Sequence, residues 1–120
     1  MPSNETPSTV RVLSDSDVAN CLDFETLLPA VADALRAQGR GDVERPDRPH
    51  FPIGEGALPP EGDEDSAEPS GTGLVMPAYI HGSPYYATKI ASVIEDNPTR
   101  GLPRVNAAIA LADSRTGLPI

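Results

Sequence analysis

Fourteen of the 120 residues are proline and ten are glycine. Proline lacks a backbone donor and fixes φ, and glycine weakens the interior of any helix or strand. Much of the chain is therefore irregular, and regular structure is held to short elements. Hydrophobic residues make up 38% and aromatic residues 4%, which allows a core but a thin one. The length fits one domain or part of one.

The formal net charge is -9. An acidic chain is a poor partner for nucleic-acid phosphates or anionic lipids, so no nucleic acid and no membrane is expected. No apolar run is long enough for a membrane-spanning helix, and the N-terminus has no signal-peptide pattern. A single cysteine, Cys21, excludes an internal disulfide framework and suits a cytoplasmic protein. The acidity is local. Glu55, Glu61, Asp63, Glu64, Asp65 and Glu68 fall within 54–73 with no base among them.

The polar stretch 1–9 reads as a disordered tail, and 54–73 as an acidic disordered insert. Between them, Ser14 and Asp17 form an S-x-x-D start for a short helix through Val18 to Leu22. Phe24, Leu27, Leu28, Val31, Ala34 and Leu35 then recur at helical spacing. Thr26 as N-cap would place Pro29 at the third helical position, where its missing N–H is not needed. Gly39 and Gly41 end this helix. Residues 43–53 hold three prolines and read as an extended, edge-like segment. LVMPAYI (74–80), the turn HGSP (81–84) and YYATKIASVIE (85–95) read as a hairpin. DNPTRGLPR (96–104) is a turn-rich loop. VNAAIALA (105–112) is a third apolar segment, DSRTG (113–117) a tight turn, and LPI (118–120) the start of another strand. An end inside an apolar run suggests a piece of a longer protein.

Lys89 stands out on the second hairpin strand. Alternation sets it on one face with Ala87, Ala91 and Val93. An ammonium among small apolar neighbours suits a substrate carboxylate, or else guards an edge strand. Arg48, between prolines, presents a guanidinium that can grip a carboxylate through two hydrogen bonds, or else pairs with Asp47 or Glu44. Spacing alone favours the second alternative for both residues. Asn97, Pro98 and Gly101 mark a loop in which the glycine allows positive φ or close approach to a ligand, or an ordinary turn. Tyr79, Tyr85 and Tyr86 suit cross-strand packing more than a pocket. Cys21, His50 and His81 have no metal spacing, so no metal is expected. No glycine-rich nucleotide fingerprint occurs.

The order of these features carries more than any one of them. An Ser-x-x-Asp-Val opening leads to LLPAVADALRAQGRG, then Pro46–Arg48, LVMPAY, an isolated strand lysine, NPTRGLP and ADSRTGLPI. The series resembles the N-terminal part of the ornithine cyclodeaminase / mu-crystallin family, over residues 10–120 without the acidic insert. The resemblance implies an α+β substrate-binding and dimerisation domain, two helices packed on a mainly antiparallel or mixed sheet. The family's Rossmann domain, dinucleotide fingerprint and catalytic aspartate are absent from this chain. It further implies NAD or NADP as cofactor, a small amino-acid substrate and a homodimer. By the same resemblance, Arg48 and Lys89 hold the substrate carboxylate, and no catalytic residue lies in this chain. Arg104 stands where the family commonly has a threonine that approaches the cofactor; it is the cofactor-side candidate here. The reaction implied first is ornithine to proline plus ammonia. Alanine dehydrogenase, ketimine reductase, a non-catalytic binding or dimerisation module and a gene remnant are the alternatives.

Overall fold

The computed structural model describes residues 9–54 and 70–120. Residues 1–8 of the expected tail and 55–69 of the expected insert lie outside them. Two helices and five strands follow in the order α1 (Asp15–Cys21), α2 (Phe24–Gly39), β1 (Val43–Glu44), β2 (His50–Ile53), β3 (Gly71–Ile80), β4 (Tyr85–Ile94) and β5 (Val105–Asp113), with a 3-10 turn at Asn97–Arg100 before β5. This is an α+β domain. The strand order is β1-β3-β4-β5, and β2 also pairs with β3. The chain divides into two compact units.

One unit joins the residues through Glu44 with Tyr79–Tyr86 and Leu111–Ile120. It holds both helices. Helix α1 begins with a capping box: the Ser14 hydroxyl accepts from the Asp17 N–H at 3.2 Å, and the Asp17 carboxylate accepts from the Ser14 N–H at 2.9 Å. The cap of α2 differs from the sequence expectation. Asp23, not Thr26, is the N-cap, and its carboxylate accepts from the Thr26 N–H at 2.8 Å. The helix starts three residues earlier because a carboxylate at the cap attracts the free N–H groups and the helix dipole. Pro29 then sits one turn deeper than expected, inside the helix. Its missing donor leaves the Glu25 carbonyl without an intrahelical partner, in an exposed first turn where water replaces it.

The apolar stripe of α2 does not become a core within this chain. Phe24, Leu28, Val31 and Leu35 are exposed, and Ala37 is the helix's buried residue. Strand β1 pairs antiparallel with the end of β3, Val43 opposite Ile80 and Glu44 opposite Tyr79. The His81 ring bonds Glu44 at 2.9 Å and packs edge-on to Tyr79 at 5.2 Å between centroids. The DSRTG turn is closed by Asp113, whose Oδ1 accepts from the N–H groups of Arg115 and Thr116, both at 2.8 Å. The expected strand at 118–120 is reduced to one bridge, Ala112 to Pro119.

The other unit is Arg45–Ala78 with Ala87–Ala110. Here β2 and β4 flank β3, both antiparallel to it. The expected hairpin is present, but β3 starts at Gly71, inside the stretch read as insert. The Gly71-Thr72-Gly73 run looked like loop composition. It is strand because large neighbours occupy the space a side chain would need: Ile94 at Gly71 and the Phe51 ring at Gly73. Gly101 ends the 3-10 turn with φ 73, and open space surrounds its α-carbon. The positive φ is the conformational freedom that glycine supplies at this turn. Among the described residues, no helix is long and apolar enough to cross a membrane.

Candidate functional site

Strand register decides which side chains share a face. Residues directly opposite in an antiparallel ladder project to the same side of the sheet. Lys89 pairs with Met76, Ala87 with Ala78, Ala91 with Leu74 and Val93 with Thr72. Lys89 therefore stands on the face that alternation assigned to it, among apolar neighbours. The edge-guard alternative is wrong: β4 lies between β3 and β5, so Lys89 is on an interior strand. The Ile94 N–H donates to the Arg104 carbonyl at 2.9 Å and ties the end of β4 to the residue before β5.

Arg48 approaches β3 from the other side. His50 pairs with Leu74, and the Val75 N–H donates to the Pro49 carbonyl at 3.1 Å. Arg48 lies two residues before β2 and lines one pocket with Met76, the residue that pairs with Lys89; the β2–β3 register continued by two residues would set the three in one row. In that row two strand spacings separate the cations, roughly 10 Å between backbones, a span that two long side chains close over one carboxylate. A pocket of ≈ 280 Å³ lies at the Arg48 end, lined by Arg45, Pro46, Asp47, Arg48, Met76, Pro77 and Ala78. A second hollow is lined by Thr9, Val10, Arg11 and Ile120.

Both cations are exposed. Among the described residues, the ion pairs are Arg36–Asp33, Arg40–Asp42, His81–Glu44 and Arg104–Glu95, and none engages Arg48 or Lys89. Glu44, offered by the sequence as a partner for Arg48, is taken by His81. Arg104 is paired instead with Glu95 at 3.4 Å, both side chains more than half exposed.

The NPTRGLP loop is braced by Asn97, a residue that spacing did not single out for this role. Asn97 is 6% exposed. Its amide donates to the Pro103 carbonyl at 2.9 Å, and its own carbonyl accepts from the Leu102 N–H at 3.0 Å. Two prolines in one short loop remove donors, so the side-chain amide substitutes for the missing backbone bonds. Met76 was also missed. Its place beside Lys89 depends on register, which no local motif reports.

A mostly antiparallel sheet with two helices defines an α+β domain. The chain belongs to the ornithine cyclodeaminase/mu-crystallin family, whose model matches residues 9–120. Two solved structures are similar. One is a Δ(1)-pyrroline-2-carboxylate reductase from Thermococcus litoralis, in complex with NADH and L-proline, at TM-score 0.72 and 29% identity over 90% of this chain. The other is an archaeal alanine dehydrogenase dimer with bound NAD, at TM-score 0.70 and 25% identity over 92% of this chain. The chain spans 29% of the length of each. The curated proteins contain no significant match.

The residues of this chain do not fit a dinucleotide. The sequence holds no G-x-G-x-x-G, and the described strand pairings β1–β3, β2–β3 and β3–β4 are antiparallel, without the parallel strand–helix–strand unit that cradles a pyrophosphate.

Proposed function

We propose that this domain grips the α-carboxylate of a small amino acid, or of its cyclic imine, through Arg48 and Lys89. It would do so as the substrate-holding part of an NAD(P)-linked enzyme. The observation that carries this reading is the Met76–Lys89 pair on β3 and β4 with Arg48 beside Met76 in one pocket. Arg48 supplies a planar fork for two carboxylate oxygens, and Lys89 a point charge from the opposite side. Met76 beside them offers an apolar floor for the carbon skeleton of the bound molecule. Two fixed cations orient the bound molecule, because a carboxylate held at both ends cannot swivel. The residues of this chain bind and orient; no catalytic role is proposed for any of them.

Family membership and the two amino-acid or imino-acid oxidoreductases that the fold resembles favour oxidoreduction at the amine-bearing carbon. Ornithine cyclodeamination to proline and ammonia, alanine oxidation and ketimine reduction all need the same carboxylate grip. A homodimer, the state named for the archaeal alanine dehydrogenase, is the proposed cover for the apolar residues that β5 leaves exposed, Val105 and Ile109. Arg104 is proposed only as a cofactor-side residue, which would have to leave Glu95 to act.

The test is calorimetric binding of L-alanine and L-proline against their amides. The acids bind and the amides do not, and Arg48→Gln or Lys89→Gln weakens the acids by about tenfold or more. Equal binding of acid and amide would reject the proposal.

A further inference from the structure

His50 has no part in the grip described above, yet it shares its face. It pairs with Leu74, which pairs in turn with Ala91. It lies two residues beyond Arg48 on the same segment, so the two side chains emerge on one side, roughly 6.7 Å apart along the chain. The row His50–Leu74–Ala91 thus runs beside the row Arg48–Met76–Lys89. We propose that His50 reads the side chain of the bound amino acid, and that the accepted side chain ends in a hydrogen-bonding or anionic group and not in an ammonium. The inference rests on the carboxylate site proposed above.

A molecule whose carboxylate lies over the first row has two ways to extend. In one direction it meets Ala78 and Ala87, which offer only methyl groups. In the other it crosses Leu74 and Ala91 and meets the exposed imidazole of His50. Ala91 carries only a methyl group, so β4 adds little bulk to that direction.

Charge sets the sign of the selection. On this face the described positions of the β2 segment, β3 and β4 carry Arg48, His50 and Lys89 and no carboxylate. Asp47 lines the pocket but is one residue out of phase with Arg48. An ammonium brought to the face meets two permanent cations and, among the described residues of these strands, no acid to offset its desolvation. An amide or carboxylate oxygen instead accepts from an imidazole N–H.

The test uses the complete chain and four amino acids of similar reach: L-norvaline, L-glutamine, L-glutamate and L-ornithine. In the wild type, glutamine or glutamate binds about three- to tenfold tighter than norvaline, and ornithine binds weaker than norvaline. His50→Ala collapses the differences while norvaline affinity holds, and His50→Gln, which keeps a donor, retains part of them. Ornithine binding as tightly as norvaline, or ratios unchanged in His50→Ala, overturns the inference about His50. Absence of binding by all four, or norvaline binding insensitive to Arg48→Gln, instead overturns the carboxylate site beneath it.

Discussion

The Phe51 ring on β2 lies against the α-carbon of Gly73 on β3, its paired residue, and fills the space a methyl group would need. An aromatic ring laid over a strand glycine covers backbone that would otherwise be wet, and it makes the pair a register mark for β2 on β3. Gly73→Ala should destabilise the protein by about 1–3 kcal/mol through overpacking. Gly39→Ala, at the end of α2 where open space surrounds the α-carbon, should be neutral or slightly stabilising. Chemical denaturation of the two variants measures the contrast.

Met76 stands between two cations, which makes it a switch position. Met76→Glu places a carboxylate in the row, where it pairs internally with Arg48 and Lys89. Amino-acid affinity should fall about tenfold or more while the thermal midpoint holds. Undiminished affinity in a folded variant would place the binding site elsewhere.

The turn at 113–117 reports on acid. The Thr116 N–H, then the Arg115 N–H, hold the Asp113 carboxyl below its ordinary value of 3.8. Both bonds favour the charged form, so the folded-state pKa lies below the unfolded one. The stabilisation is therefore complete above 3.8 and is lost as pH falls through the lowered value. Asp17 at the start of α1 and Asp23 at the cap of α2 are shifted the same way by the backbone N–H groups of Ser14 and Thr26. Carboxyl-carbon NMR titration should give midpoints below 3.8 for all three, with Asp113→Asn loosening the turn at neutral pH.

The Arg104–Glu95 pair is exposed on both sides. Glu95→Gln and Arg104→Thr should each change stability by no more than about 0.5 kcal/mol. A larger loss in either variant would mean that the pair braces the start of β5.

Much of this architecture is legible in local composition. The Ser14–Asp17 box, the hairpin about 81–84 and the positive φ at Gly101 follow from residue types at short range. Three matters are not local. Local reading put the cap of α2 at Thr26, but the place falls to Asp23, the stronger acceptor. Gly71 and Gly73 have loop chemistry but strand positions, because Ile94 and Phe51 come from other strands to cover them. The alignment of Arg48 with Lys89 depends on two ladder registers that meet at Met76. Lys89 could be placed on its face by alternation, but not on an interior strand, since that needs knowledge of what flanks β4. The stripe on α2 has the period of a core helix, yet most of it stays exposed here; periodicity shows which face is apolar and is silent on what covers it.

Because β4 has partners on both edges, its residues act as a counter. One residue inserted or deleted before Lys89 in 85–94 reverses the parity of the strand and sends the ammonium to the opposite side of the sheet. Two restore it. Length changes tolerated in this strand should therefore come in even steps, and the same arithmetic binds the two-residue step from Arg48 to His50, where pairing with β3 begins.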